Sequence, residues 1–277
     1  MGTPVCAQIL SFYPLHEFTS QTVTGLEYDE EEVAREEANY QTTAARARRA
    51  FVREQLDLTS DESVLSIGCG PGFEPAELAT ETIAKRVVGV DSNSTMLAVA
   101  RDRCPESVLL VGGDATSLPV EDGTFDAAVS VQVYEYVDDL DAALSELHRV
   151  LTPTGRGIVY ATDWDSLLWR VENEARAARV LDAWAEHCTR PRLGSTLAPE
   201  LRSASFEITE VTPYTILLTE LGQESFAHYL LESIREFVTP RLGSEVTQRW
   251  AEELRTRDRR GESFFSLTQF CYLVEPS

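Results

Sequence analysis

Hydrophobic positions change period along this chain, and the changes mark its elements. From Glu30 to Leu56 the sequence is polar, alanine-rich and free of Gly and Pro, and Val33, Tyr40, Ala44, Ala47, Phe51 and Leu56 recur at near-helical spacing. That pattern predicts one helix leading into the main domain. Short apolar runs rich in β-branched residues follow: Val64 to Gly68, Arg86 to Asp91, Ser107 to Gly113, Phe125 to Val131 and Gly157 to Asp163. Each reads as a buried strand. Between them, Glu74 to Ala84, Ser94 to Arg103 and Asp138 to Leu151 read as helices, the last followed by a Thr152–Gly155 turn containing Pro153. Strands alternating with helices predict a parallel sheet covered on both faces.

After Asp163 the alternation stops. Asp165 to His187 and Leu197 to Ser203 read as helices, and Phe206 to Leu218 as a strand. Helices at Glu224 to Val238 and Ser244 to Arg257 precede a last strand, Phe264 to Val274. The expected architecture is α/β: a doubly wound, seven-stranded, mostly parallel sheet with helical cap insertions. A leader and helix over 1–60 are expected to act as a lid. Residues 61–277 form the main domain, with insertions at about 165–204 and 221–260.

Composition narrows the partners. Hydrophobic residues make up 43% of the 277 positions, enough for one large core. A formal charge of −22 repels phosphate backbones and anionic membranes, so neither nucleic acid nor a membrane surface is expected as partner, and a small molecule is. Lys85 is the sole lysine and carboxylates crowd Glu27 to Glu37. Two readings stay open: adaptation to a salt-rich cytosol, or an ordinary acidic protein from an arginine-favouring genome. No run approaches the roughly 20 apolar residues that cross a bilayer, and MGTPVCAQIL lacks a basic-then-apolar signal, so a cytoplasmic location is expected. The five cysteines (Cys6, Cys69, Cys104, Cys188, Cys271) are scattered and never spaced as CxxC. No HExxH or Cys/His cluster suggests a metal, and no G-x-S-x-G suggests a serine nucleophile.

The chemistry concentrates in VLSIGCGPGFEPAEL, Val64 to Leu78, where a strand runs through Gly68, Gly70 and Gly72 into a helix. Glycines suit a tight turn that a ligand must approach closely. The G-x-G-x-G spacing differs from the G-x-G-x-x-G of dinucleotide sites, and Glu74 would face a pyrophosphate, so an NAD-dependent oxidoreductase is disfavoured. Asp91 ends the second strand, where a carboxylate accepts hydrogen bonds from ribose hydroxyls. Gly113 and Asp114 end the third. Taken singly, each acid is an ordinary turn residue or cap; together they line the edge where open α/β sheets bind ligands.

At this point the chain resembles the class I S-adenosylmethionine-dependent methyltransferases, in particular the small-molecule branch that includes the ubiquinone and menaquinone C-methyltransferases. VLSIGCGPG, VVGVDSNSTMLAVAR, GDATSLPVEDGTFDAAVSV and HRVLTPTGRGIV occur in family order within Val64 to Asp163. The resemblance implies S-adenosylmethionine as cofactor, with S-adenosylhomocysteine as product. It implies that Gly68 and Gly70 cradle the methionine moiety, Asp91 holds the ribose, Met96 packs on adenine, and Asp114 with the Ala115 amide reads the adenine edge. Gln132 would lie near the methionyl end, and Ser92 is a further candidate. Where many relatives carry Asp or Glu on the first strand, this chain has Ser66, which offers a hydroxyl without charge.

Methyl transfer from a sulfonium mainly requires alignment in a dry pocket, and an acidic acceptor also needs a base. Tyr134, Glu135, Tyr136, Asp163 and Asp165 lie near the expected methyl end, with Trp164 and Trp169 as possible walls; Tyr134 and Asp163 lead as groups touching the acceptor. His187 and His228 sit in the helical cap, His148 on a periodic helix and His16 in the leader. Phe12, Tyr13, Phe18, Tyr28 and Tyr40 are candidate lid residues, ordinary packing being the alternative. A methyltransferase fold repurposed for another reaction or for regulation, and an aminopropyl transferase, are the remaining alternatives.

Overall fold

A computed structural model describes Arg35 and residues 37–277. The expected lid residues Phe12, Tyr13, Phe18 and Tyr28, with Cys6 and His16, lie outside the described residues. The predicted helix over 30–56 is interrupted: residues 37–40 are helical, the chain turns at Gln41 and Thr42, and α1 runs Thr43–Leu56. Thr42 explains the restart, because its hydroxyl accepts the Ala45 N–H at 3.2 Å and caps the new helix.

The alternating region follows: β1 (Ser63–Ile67), α2 (Phe73–Glu81), β2 (Arg86–Asp91), α3 (Ser94–Arg103), β3 (Val108–Gly112), β4 (Phe125–Val131), α4 (Leu140–Val150) and β5 (Leu151–Thr162). β5 begins where a turn is expected, directly after α4. Its register with β4 jumps from Phe125↔Leu151 to Ala127↔Arg156, so Thr152–Gly155 form a bulge within the strand.

The predicted helix over 165–187 is corrected by the structure. Asp163 caps a single 3-10 turn, Trp164–Ser166, by accepting the Asp165 N–H. Leu168–Trp169 then forms a two-residue strand, β6, against Phe265 and Ser266. Only after Asn173 caps it does α5 (Glu174–Trp184) begin, and a second 3-10 turn covers Ala185–His187. The chain closes with α6 (Leu193–Ser203), β7 (Phe206–Leu218), α7 (Phe226–Leu242), α8 (Ser244–Arg259) and β8 (Phe265–Pro276).

The sheet order is β3-β2-β1-β4-β5-β8-β6, with β7 paired to β8. β1 to β5 run parallel and β8 returns antiparallel. The doubly wound sheet is therefore mostly parallel as expected; among the described residues β6 makes it eight-stranded. Leu144 and Leu147 of α4, with Leu197 and Leu201 of α6, share a core with Leu65, Val88 and Val159. Val52 and Leu56 of α1 and Leu78 of α2 pack with Val64, Val129 and Ile158. Each such side chain, fully buried, contributes roughly 1.5–3 kcal/mol. The helices α5, α7 and α8 have a core of their own around Trp169, Val180, Leu231, Trp250 and Leu267. Strand order reverses between β1 and β4, which opens the crevice at their C-terminal ends where such sheets hold ligands.

Candidate active site

Four loops meet at that edge. After β1, Gly68 and Gly70 adopt φ of +63° and +51°. A side chain at Gly68 would overlap Val133 Cγ2, so this position cannot carry a Cβ without displacing the loop after β4. Gly70 differs: a Cβ there would meet nothing nearer than the Tyr40 hydroxyl at 3.9 Å, leaving the backbone open to a ligand. After β2, Asp91 Oδ2 accepts the Gly70 N–H at 2.7 Å and Oδ1 the Asn93 N–H at 2.8 Å. Burial pushes the Asp91 carboxyl above the usual range, opposed by those backbone donors. Ser92 beside it is exposed, and Asn93 rather than Ser92 caps α3. Met96 is buried in the first turn of that helix. After β3, Asp114 Oδ1 accepts both the Thr116 N–H (2.8 Å) and its hydroxyl (2.6 Å), folding the half-buried Ala115 into a tight turn.

After β4, Gln132 sits at φ +55°, a left-handed conformation that a non-glycine residue holds only when its surroundings fix it. Its Nε2 donates to Thr162 Oγ1 at 2.8 Å, and its Oε1 accepts from Arg48 of α1. Thr162 Oγ1 also accepts from Gln269 Nε2 (2.9 Å), whose Oε1 takes the Tyr160 hydroxyl proton (3.0 Å). This network ties α1, β4, β5 and β8 together beneath the edge. Arg48 is not among the residues that the sequence motifs mark. Its signal is a charged residue inside the helix's buried stripe of Ala45, Arg48, Arg49, Val52 and Leu56.

The expected catalytic residues fare differently. Tyr134 is 1% exposed, within the sheet core that also holds Leu118 and Leu140. Burial raises its pKa, which makes it unsuited to taking a proton, so the structure does not support the base role expected for it. The neighbouring Glu135, equally buried, places Oε1 on the Thr162 N–H at 2.7 Å and leaves Oε2 without a partner. Desolvation pushes that carboxyl up to about 7. Asp163 is committed to capping the 3-10 turn, and the exposed Asp165 pairs with Arg192 at 2.7 Å. Trp169 belongs to the cap core, meeting Trp250 edge-on and Phe265 at a tilt, rather than to this edge. Trp164 does reach it. It meets His187 edge-on at 4.7 Å, while His187 stacks on Trp184 at 3.8 Å and faces Tyr136 at 5.8 Å. His187 Nδ1 bonds the Trp184 carbonyl at 2.6 Å, and burial lowers its pKa to about 4, so the ring is neutral. His148 packs against Phe206 and His228 against Tyr229, both away from this cluster. Among the described residues no group of His, Cys, Asp and Glu is placed to hold a metal ion, and no helix is long and apolar enough to cross a membrane.

A doubly wound sheet with an antiparallel return strand and a glycine loop after β1 is the methyltransferase type of α/β fold. Residues 65–159 match the methyltransferase-domain family model. A 37.1 kDa transposon protein of Streptomyces fradiae is 32% identical over 222 residues, covering 77% of this chain and 63% of that protein. Demethylmenaquinone methyltransferase of Corynebacterium kroppenstedtii is 38% identical over 39% of this chain and 45% of its own. Sterol 4-C-methyltransferase of Caenorhabditis elegans is 32% identical over 42% of this chain and 36% of its own. The chain thus spans less than two thirds of each of these relatives. Among solved structures, Haemonchus contortus phosphoethanolamine N-methyltransferase 2 in complex with S-adenosyl-L-methionine superposes with a TM-score of 0.60 at 17% identity, covering 90% of this chain and 58% of that one. The [4+2]-cyclase SpnF superposes at 0.55 and 23% identity, covering 84% and 81%. Residues 65–159 are thus similar to a methyltransferase domain, and the structural neighbour from Haemonchus contortus holds S-adenosyl-L-methionine as its cofactor. The open backbone at Gly70 and the carboxylates at the tips of β2 and β3 fit that cofactor's backbone approach, ribose and adenine.

Proposed function

We propose that this chain catalyses methyl transfer from S-adenosylmethionine to a small apolar or aromatic acceptor. The observation that supports this best is the bond from Gly70 to Asp91, which joins the glycine loop to a carboxylate at the neighbouring strand tip. When bound, the cofactor supplies an electrophilic methyl group on a positive sulfur. Gly68 and Gly70 admit it to the backbone, Asp91 and Ser92 border the ribose, Met96 packs on the adenine, and Asp114 with the Ala115 N–H reads the adenine edge. Gln132 marks the amino-acid end. On the acceptor side, Tyr136, Trp164, Trp184 and His187 gather beside the ends of β4 and β5, an aromatic wall that excludes water and favours a flat or apolar acceptor. An acidic acceptor would pass its proton to Glu135 Oε2, an unpartnered carboxylate oxygen on the side chain that binds the Thr162 N–H.

One observation favours a second reading. The likeness to the cyclase SpnF, together with Ser66 in place of an acid, suits a fold that binds the cofactor for another reaction. Incubation with methyl-labelled S-adenosylmethionine and a small-molecule cell extract separates the two. The methyltransferase reading expects label in an extracted product and formation of S-adenosylhomocysteine. Cofactor binding without label transfer would support the second reading, and tight NAD binding with neither would overturn both.

A further inference from the structure

Glu74, at the second position of α2, is 7% exposed, and neither of its carboxylate oxygens has a hydrogen-bond partner. The arginines nearest it are already matched. Arg49 makes a bidentate pair with Glu77 (2.9 and 2.7 Å) and donates to the Tyr40 carbonyl, and Arg53 bonds Glu77 and Glu81. Glu74 is thus a surplus buried carboxyl, which desolvation pushes up to about 7 against the pull of Arg53, Arg49 and Arg48. Arg48 is its counterpart. It is 3% exposed, uses one terminal N–H on Gln132, and its Nε is buried without a partner. Arg48 is within electrostatic reach of Glu74, with a smaller pull than Arg53 or Arg49, and neither Glu74 oxygen is bonded to it. Unpartnered buried charges of opposite sign are costly, and a ligand that pairs with both recovers part of that cost. Both approach the glycine loop: Glu74 lies two residues past Gly72, and Arg48 holds the Gln132 side chain beside Val133, against which Gly68 is packed.

We propose that Glu74 and Arg48 form the receptor for the amino-acid end of the sulfonium cofactor, Glu74 taking its ammonium group and Arg48 its carboxylate. This rests on the cofactor reading above and deepens it. It also supplies an explanation for Ser66: the negative charge that relatives carry on the first strand is provided from the first turn of α2 instead.

Calorimetry with S-adenosylhomocysteine, its deaminated analogue S-adenosyl-4-thiobutyrate, and 5′-methylthioadenosine, which lacks the whole amino-acid chain, tests the assignment. The wild type is expected to prefer S-adenosylhomocysteine to the deaminated analogue at least tenfold. Glu74→Gln is expected to remove that preference while binding 5′-methylthioadenosine within twofold of wild type. A merely structural Glu74 would lower the melting temperature of the ligand-free protein on substitution; a ligand receptor relieved of its buried charge leaves it equal or raises it. If Glu74→Gln does not fold, Arg48→Gln measured against decarboxylated S-adenosylmethionine gives the equivalent cycle at the carboxylate end. Preference retained by the folded variant, or equal weakening of all three ligands, overturns the proposal. Failure of the wild type to bind any of them overturns the cofactor reading instead.

Discussion

Asp91 Oδ2 accepts the backbone N–H of Gly70 at 2.7 Å, so the tip of β2 holds the loop that leaves β1. A single carboxylate therefore shapes the glycine turn and, in the proposed function, borders the ribose. Asp91→Ala removes both roles. Each lost hydrogen bond to a charged group costs about 1.5–3 kcal/mol, so affinity for S-adenosylhomocysteine is expected to fall at least tenfold, with faster hydrogen exchange at Gly70. Asp91→Asn, which keeps a carbonyl acceptor, falls less. Wild-type affinity in the alanine variant would remove Asp91 from the site.

Gly68 has no room for a side chain. Its φ of +63° costs an L-residue roughly 1–2 kcal/mol, and a Cβ would overlap Val133, adding about 1–3 kcal/mol of overpacking. Gly68→Ala is expected to lose about 2–4 kcal/mol in urea unfolding. Adding Val133→Ala should recover the steric part and leave the backbone part. No recovery in the double variant would mean that the contact with Val133 is not what excludes a side chain.

What was legible in the sequence follows from how each segment is buried. β2 and β4 are found at their expected bounds because RVVGVD and FDAAVSV are covered on both faces, so their apolar runs are continuous. The glycine turn was legible because its spacing reports backbone geometry directly. Asp165 to His187 is not one helix because Leu167 and Trp169 bury themselves by joining the sheet and its cap, and because Asp163 just before the segment and Asn173 within it each cap a new turn. Tyr134 and Glu135 illustrate a finer limit. Both lie in the turn after β4, where no strand period applies, and only tertiary packing decides which enters the core and which reaches Thr162. Arg48 and Glu74 look like solvated helix charges until α1 and α2 are brought together.

Glu135 gives the stability a pH dependence of definite sign. Its carboxyl is pushed from 4.5 to about 7 by burial, so between those values the folded protein holds a proton that the unfolded chain has released. Stability from this group is full below about 4.5 and is lost as pH rises through 7. Glu135→Gln keeps an acceptor for the Thr162 N–H and cannot ionise. It is expected to match wild type at pH 5 and to be more stable at pH 8, by on the order of 1–3 kcal/mol. A stability difference that does not change with pH would show that Glu135 titrates normally.

His187 works in the opposite direction. Burial lowers it from 6.5 to about 4, so the unfolded chain takes up a proton first and stability falls as pH drops from 6.5 towards 4. His187→Phe, which retains the stack on Trp184, is expected to flatten that part of the wild-type curve. Chemical denaturation at pH 4.5 and 7 measures it, and equal losses in both proteins would place the acid sensitivity elsewhere.

The charge of −22 makes a prediction about salt that the fold allows to be argued through. Surface carboxylates outnumber the arginines that pair with them, and their mutual repulsion acts over about 8 Å at physiological ionic strength but only about 3 Å at 1 M. Buried pairs such as Arg49–Glu77, with the arginine side chain 3% exposed, are screened far less than exposed ones such as Arg249–Glu245. Added salt therefore relieves more repulsion than attraction. If the acidity is an adaptation to a salt-rich cytosol, the melting temperature should rise by more than about 5 °C between 0.1 and 2 M KCl. KCl is the decisive choice because sulfate raises the stability of most proteins through exclusion from their surfaces. A flat response to KCl would identify an ordinary acidic protein whose carboxylates are already far enough apart in dilute buffer.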